Sequence, residues 1–393
     1  VNVVDVHGEI APGFETVGDA FAANFAERGD VGAAYCVYRD GRPVVDIWAG
    51  LAERDAARPW ARDTIVIVYS CTKGVTAVAA NQLIARGVLD PDAPVAEYWP
   101  EFAAEGKGAI PVRWALSHRA GLAAIDRDLT LDDVAAWDPV IDAIAAQAPN
   151  WEPGTRHGYH ARTYGWIVGE LIRRVTGLMP GDYIDQEIVT PLGLDFYLGV
   201  PESEDARIAR IYPAAWDDPE LARLADRALS DPSTLLGRVM GGPSNLFRYD
   251  DRWNSRLLRG AQMPSSNGHS DARSLARMYA ACIGEVEGVR LLSDDSRVRA
   301  TEVQSSGKDC VIGQPLTFGL GFALAPTLGP SAGPAAFGHS GAGGSIAFCD
   351  PDRGVAFSYV MNQMQLSMSE IDARGESLIA ATYAALDSLR ESP

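Results

Sequence analysis

The chain has 393 residues, with 34 basic and 52 acidic side chains and a formal net charge of −18. That balance disfavours nucleic acid and anionic membrane surfaces as partners, because both are held through clusters of Lys and Arg. Hydrophobic residues at 47% and charged residues at 22% suit a globular protein, and the length exceeds what one hydrophobic core usually serves, so two lobes are expected.

In chain order, a helix is expected from Thr16 to about Arg28. Two β-rich runs, Gly32–Arg39 and Pro43–Gly50, flank a turn with Asp40-Gly41, which is a hairpin signal. The β-branched run Thr64–Tyr69 leads into Ser70. From Cys71 the period becomes helical, with Val75, Val78, Ala79, Leu83 and Ile84 on the repeat and Gly87 near the stop. Further helices are expected at Asp138–Gln147, Thr163–Thr176, Gly181–Val189 and Asp271–Ile283, the last capped by Ser270 or Asp271. Apolar runs at Pro334–Phe348 and Gly354–Met361 flank the turn Asp350–Gly354. A closing amphipathic helix is expected over roughly Met368–Leu389, and Ala325–Gly333 reads as a surface loop.

Strands at both ends and helices between them predict an α/β (α+β) fold. The economical arrangement is one antiparallel sheet built from both chain ends with flanking helices, plus an inserted, mainly helical lobe. This places residues 1–65 and 310–393 in one discontinuous lobe and 66–309 in the other, with a cleft between them. No basic region precedes an apolar run at the N-terminus, and no apolar stretch reaches 18 residues, so the expectation is a cytoplasmic protein with no membrane segment. Cys36, Cys71, Cys282, Cys310 and Cys349 have no CxxC spacing and read as buried free thiols.

The sharpest local feature is Ser70-Cys71-Thr72-Lys73. Where a helix begins at Cys71, positions i and i+3 share a face, so Ser70 and Lys73 point into the same space. Free N–H groups and the helix dipole there favour developing negative charge. A serine hydroxyl needs a base, and a lysine with its pKa lowered by burial supplies one. The chain has only three lysines, Lys73, Lys107 and Lys308, so chance predicts about 0.2 such spacings. A second one, Ser305-Ser306-Gly307-Lys308, contains glycine, has no apolar helix behind it and reads as a surface loop. Local pattern alone also fits an N-cap serine beside a solvent-facing lysine.

Two further segments are Trp151–Ala161 (WEPGTRHGYHA) and Phe337–Ser345 (FGHSGAGGS). With them the chain resembles the serine β-lactamase and penicillin-binding-protein superfamily, most of all the class C β-lactamase-like family VIII carboxylesterases. Ala115–Leu122 resembles that family's L-[ST]-H-x-[ST]-G-L stretch, with Ala120 at the second hydroxyl position. The resemblance implies Ser70 as acylated nucleophile, Lys73 and Tyr159 as acid and base, and an oxyanion hole from the backbone N–H groups of Ser70 and Ala342. His339, Ser340 and Gly341 fall on the family's substrate-binding strand motif. Two positions depart from the lactamase pattern: Ala161 replaces the asparagine of Y-x-N, and His339 replaces the lysine of K-[ST]-G. A histidine of ordinary pKa is mostly neutral at pH 7, so both departures point to neutral short-chain esters.

The expected partner is therefore a small-molecule ester, with no cofactor, no metal and no nucleic acid; oligomeric state is not legible. A β-lactamase, DD-peptidase or acyltransferase on the same scaffold is the alternative, and a non-catalytic binding homologue is a third reading. No G-x-S-x-G elbow, HExxH, P-loop or GxGxxG occurs. Asn267–Asp271 reads as a turn and helix cap.

Overall fold

The computed structural model describes residues 4–214, 219–365 and 372–391. Among these, ten strands form one antiparallel sheet. Its path runs His7–Ile10, Arg42–Glu53, Gly32–Arg39, Val355–Met361, Ile346–Asp350, Phe337–Ser340, Ala323–Leu324, Pro315–Phe318 and Ser305–Lys308, with Arg58–Pro59 paired to Arg42–Glu53. The chain ends meet at its centre, where Ala33 lies opposite Met361 and Arg39 opposite Val355. The hairpin turn takes φ 49° at Asp40 and 76° at Gly41; two left-handed residues in succession match the right-handed strand twist, which explains Asp-Gly there.

Alternation along a strand sends successive side chains to opposite faces. Tyr35, Val37, Phe348 and Phe357 pack with Phe14, Val17 and Phe21 of helix Glu15–Glu27 and with Leu378, Ile379 and Leu386 of helix Ala373–Glu391. Cys36, Tyr38, Ala347, Cys349 and Ala356 face the other way, in one core with Leu275, Met278 and Tyr279 of helix Ala272–Ile283. The middle strands are thus covered on both faces, which is why they read as continuous apolar runs.

Helix Cys71–Ala85 joins the sheet to the helical insertion. Every side chain from Cys71 to Ile84 is buried, as expected for a helix apolar nearly all round. It contacts strand Phe337–Ser340 and helix Thr163–Thr176. It stops where Gly87 takes φ 69°, a conformation that favours glycine. A small three-stranded sheet, Val66–Ile67, His269–Ser270 and Phe196–Tyr197, holds the segment just ahead of Ser70.

Several expectations change. Ser305–Lys308 is an edge strand on Pro315–Phe318 rather than a loop; pairing supplies the β structure that its polar, glycine-containing sequence does not signal. Gly181–Val189 divides into an α turn, Pro180–Ile184, and a wider π turn, Asp185–Val189. Pro334–Phe348 is interrupted by the turn between Ser340 and Ile346. His269–Ser270 is a strand, and the following helix is capped by Asp271, whose carboxylate accepts the Ser274 N–H at 2.7 Å. Cys310 is only partly buried, while the other four thiols are buried and all five are free. The expected start of the closing helix at Met368 lies outside the described residues.

Candidate active site

Between the small sheet and helix Cys71–Ala85 the backbone makes one sharp corner. Tyr69 adopts φ 43°, a left-handed conformation that costs a non-glycine residue of order 1 kcal/mol. Packing holds it there: the ring lies edge-on to Tyr249 at 5.7 Å and Trp253 at 5.2 Å, and its hydroxyl donates to Met364 Sδ at 3.4 Å. Ser70 follows at the helix N-cap, yet its hydroxyl makes no capping bond. It faces Lys73 instead.

Lys73 is fully buried. Its Nζ lies 3.0 Å from Ser70 Oγ, 2.8 Å from the Ala161 carbonyl and 2.9 Å from the Ser265 carbonyl. Desolvation pushes its pKa well below the ordinary lysine value, and the Arg162 charge pushes it further. No carboxylate among the described residues pairs with it. A neutral amine has two N–H donors and one lone pair. As an ammonium Nζ would donate to all three acceptors; as a neutral amine it donates to the two carbonyls and turns its lone pair to the Ser70 hydroxyl proton. The solvent-facing lysine allowed by local pattern is thereby excluded.

Tyr159 closes the site from the segment before helix Thr163–Thr176. Lys73 Nζ sits 4.9 Å from its ring centre, and its phenol has Ser70 as a hydrogen-bond partner. Burial raises the phenol pKa, with the Ser70 bond opposing, so the hydroxyl holds its proton at neutral pH. The Ala161 side chain lacks an amide, but its backbone carbonyl receives Lys73. One function of this segment is therefore invisible in side-chain identity.

From the sheet, His339 points into the same space with its ring centre 6.1 Å from that of Tyr159. Its Nδ1 donates to the Ser340 carbonyl at 2.7 Å, while its Nε2 is buried without a partner among the described residues. Burial, reinforced by Lys73, lowers its pKa to about 3 against the Ser340 carbonyl bond. His339 is neutral across the working range, with its proton on Nδ1. The chain then turns through Gly341–Ser345, closed by Gly341 N–H to the Ser345 carbonyl at 2.6 Å. Neither the Ser70 nor the Ala342 amide is taken up by a backbone carbonyl among the described residues.

Ser70, Tyr159, Ala161, His339, Ser340, Gly341 and Ala342 all line one cavity of about 500 Å³. Leu229, Leu236, Met240, Ile312, Leu316 and Phe318 make an apolar wall, and Gln365, Asp372 and Glu376 make a polar end. Among the described residues no Lys or Arg lines it.

Sequence reading missed three contributors. Arg162 is buried, with its guanidinium 5.1 Å from the Trp253 ring centre and Nη1 3.0 Å from Ser266 Oγ. Among so many arginines nothing marked it. Ser265 acts through its carbonyl, which no motif reports. His118 and His160 form a buried clasp: His118 Nδ1 accepts the His160 N–H at 3.1 Å, and His160 Nε2 accepts the Leu122 N–H at 3.0 Å. Burial lowers both pKa values, that of His160 to about 4. The His118 ring centre lies 5.0 Å from that of Tyr159, so the clasp braces the tyrosine. The Ala115–Leu122 stretch was the available signal.

A family model described as Beta-lactamase matches residues 21–381. The esterase/beta-lactamase LipL of Mycobacterium tuberculosis is 36% identical over 376 residues, 94% of this chain and 86% of that protein. A crystal structure of a family VIII carboxylesterase superposes with TM-score 0.85 at 37% identity, covering 97% of this chain and 100% of its own. EstA from Arthrobacter nitroguajacolicus Rue61a gives TM-score 0.84 at 33% identity, covering 97% and 98%. With its fold, its buried Ser70–Lys73 pair and these similarities in agreement, the chain belongs to the serine beta-lactamase superfamily, in the company of its family VIII esterases.

Proposed function

We propose that this chain is a serine hydrolase that cleaves short-chain carboxylic esters through an acyl-enzyme on Ser70. The observation that carries the reading is the fully buried Lys73, with its donors spent on two carbonyls and its remaining valence on Ser70 Oγ at 3.0 Å. Neutral Lys73 takes the Ser70 proton as Oγ bonds to the ester carbonyl carbon. The N–H groups of Ser70 and Ala342 hold the oxyanion, an interaction typically worth a few kcal/mol in the transition state. When the C–O bond breaks, Tyr159 gives its proton to the leaving alkoxide and recovers one from the Lys73 ammonium. Water then attacks the acyl carbon, passes a proton through the same pair to Ser70, and releases the acid.

Electrostatics favour an ester over a β-lactam. β-Lactams carry a carboxylate, and this cavity offers it a neutral His339, the Glu376 carboxylate, an Asp372 carboxylate paired with Arg374 and, among the described residues, no Lys or Arg. The esterase names of the relatives agree with this reading. The test is turnover of 4-nitrophenyl butyrate by wild type and Ser70→Ala. Loss of turnover in the variant, with nitrocefin hydrolysis slow in the wild type, is expected. Undiminished turnover in Ser70→Ala would sink the reading, and nitrocefin hydrolysis matching ester hydrolysis would shift it to a β-lactamase.

A further inference from the structure

Behind the Gly341–Ser345 turn lies a charged cluster with no part in the steps above. Arg374, at the start of helix Ala373–Glu391, is completely buried, and so is the side chain of Asp30. A guanidinium has five N–H donors, and all five are used. Nε donates to Asp372 Oδ1 at 3.0 Å, Nη1 to Asp30 Oδ1 at 2.8 Å and the Gln363 carbonyl at 2.8 Å, and Nη2 to Asp372 Oδ2 at 2.6 Å and the Gly343 carbonyl at 2.7 Å. Asp30 also accepts the Tyr359 hydroxyl at 2.7 Å. The Gly343 carbonyl takes a second bond, from the Gln365 N–H at 3.0 Å, so both its lone pairs are fixed.

Burying a cation costs more than an apolar residue of the same volume usually would. What this cation does that an apolar side chain cannot is to grip a carbonyl within the turn that carries the Ala342 N–H. Gly343 and Gly344 adopt φ 86° and 125°. Such a turn has little conformational preference of its own and needs outside support to keep one shape.

We propose that Arg374 is a positioning residue for the reaction, holding the Gly341–Ser345 turn so that the Ala342 N–H meets the oxyanion. This rests on the acyl-enzyme reading above, because it needs an oxyanion at Ser70. A displaced donor is lost mainly to the transition state, so kcat falls while KM is little changed. Lysine has three donors on a point charge and cannot reproduce the five-fold grip.

The experiment compares wild type, Arg374→Lys and Asp30→Asn, which keeps the arginine but alters one of its anchors. Each is checked for a cooperative melt, then assayed for kcat and KM on 4-nitrophenyl butyrate and for inhibition by butylboronic acid, a mimic of the tetrahedral adduct. Expected for Arg374→Lys is a kcat at least about tenfold lower, with boronate affinity weakened by a similar factor and KM within about twofold, given that losing one oxyanion donor outright costs about 10²–10³ in rate. A smaller parallel loss is expected for Asp30→Asn. Wild-type kcat and boronate affinity in a folded Arg374→Lys would overturn the proposal, as would a kcat loss without any weakening of the boronate. Should Arg374→Lys not fold, Asp30→Asn decides on the same two readouts. Failure of the acyl-enzyme reading looks different, since boronate would then not inhibit the wild type at all.

Discussion

Replacing Tyr159 by Phe removes one oxygen and leaves the ring. The ring keeps its neighbours: Lys73 Nζ 4.9 Å from its centre, His118 at 5.0 Å and Phe318 stacked at 6.2 Å. The fold therefore survives, and a lost half-buried hydrogen bond costs about 1 kcal/mol of stability. Its catalytic cost depends on the leaving group. Burial keeps the proton on Tyr159 at neutral pH, so it is in place for an alkoxide, which is more basic than the phenolate left behind, and general-acid help is worth typically about 10²–10⁴ in rate. 4-Nitrophenolate leaves without a proton, whereas an ethoxide leaving group needs one. Ethyl butyrate turnover, followed by pH-stat, should thus fall by at least about 10² in Tyr159→Phe, while 4-nitrophenyl butyrate turnover falls by at least about tenfold less. Equal losses on the two esters would refute the assignment of the phenol as the acid that protonates the leaving group.

Two other outcomes follow from the same geometry. Lys73 has a folded-state pKa below its unfolded value, so between those values the unfolded chain binds the extra proton and stability rises with pH. The urea stability of wild type relative to Lys73→Met should therefore climb from neutral pH toward the ordinary lysine value of 10.5, with a slope of at most about 1.4 kcal/mol per pH unit; a flat difference would mean Lys73 is not held neutral. In the apolar wall, Met240→Trp adds bulk beside Leu236. It should lower kcat/KM for 4-nitrophenyl hexanoate at least about fivefold more than for the acetate, since steric exclusion from an apolar pocket is commonly worth about 1–3 kcal/mol. An unchanged chain-length profile would place the acyl group elsewhere.

Much of this was legible because local sequence and tertiary context agree. The Asp40-Gly41 hairpin, the Thr163–Thr176 helix and the helix from Cys71 each carry a periodicity or turn chemistry that packing only reinforces. Lys73 was legible through scarcity: one of three lysines stands three residues after a serine at a strand-to-helix corner. What stayed hidden acts through the backbone or from far along the chain. The carbonyls of Ala161 and Ser265 that take up the Lys73 donors belong to residues whose side chains say nothing about it. Arg374 contacts the Gly341–Ser345 turn only because a helix folds back across the sheet. The edge strand Ser305–Lys308 is imposed by its neighbour rather than by its own residues.

The junction of the two chain ends also sets a clock. The Gly32 N–H donates to Asn362 Oδ1 across a separation of 330 residues, and the Gly341–Ser345 turn opposite Ser70 belongs to the same late segment. On the ribosome, at about 5–20 residues per second, Gly32–Arg39 waits roughly 15–65 s for its neighbour to emerge. During that interval its apolar faces are uncovered and its hydrogen-bonding edge is open. The nascent chain is therefore at its most vulnerable to aggregation while its first hairpin is already made. It gains a complete site only as the last strands leave the exit tunnel.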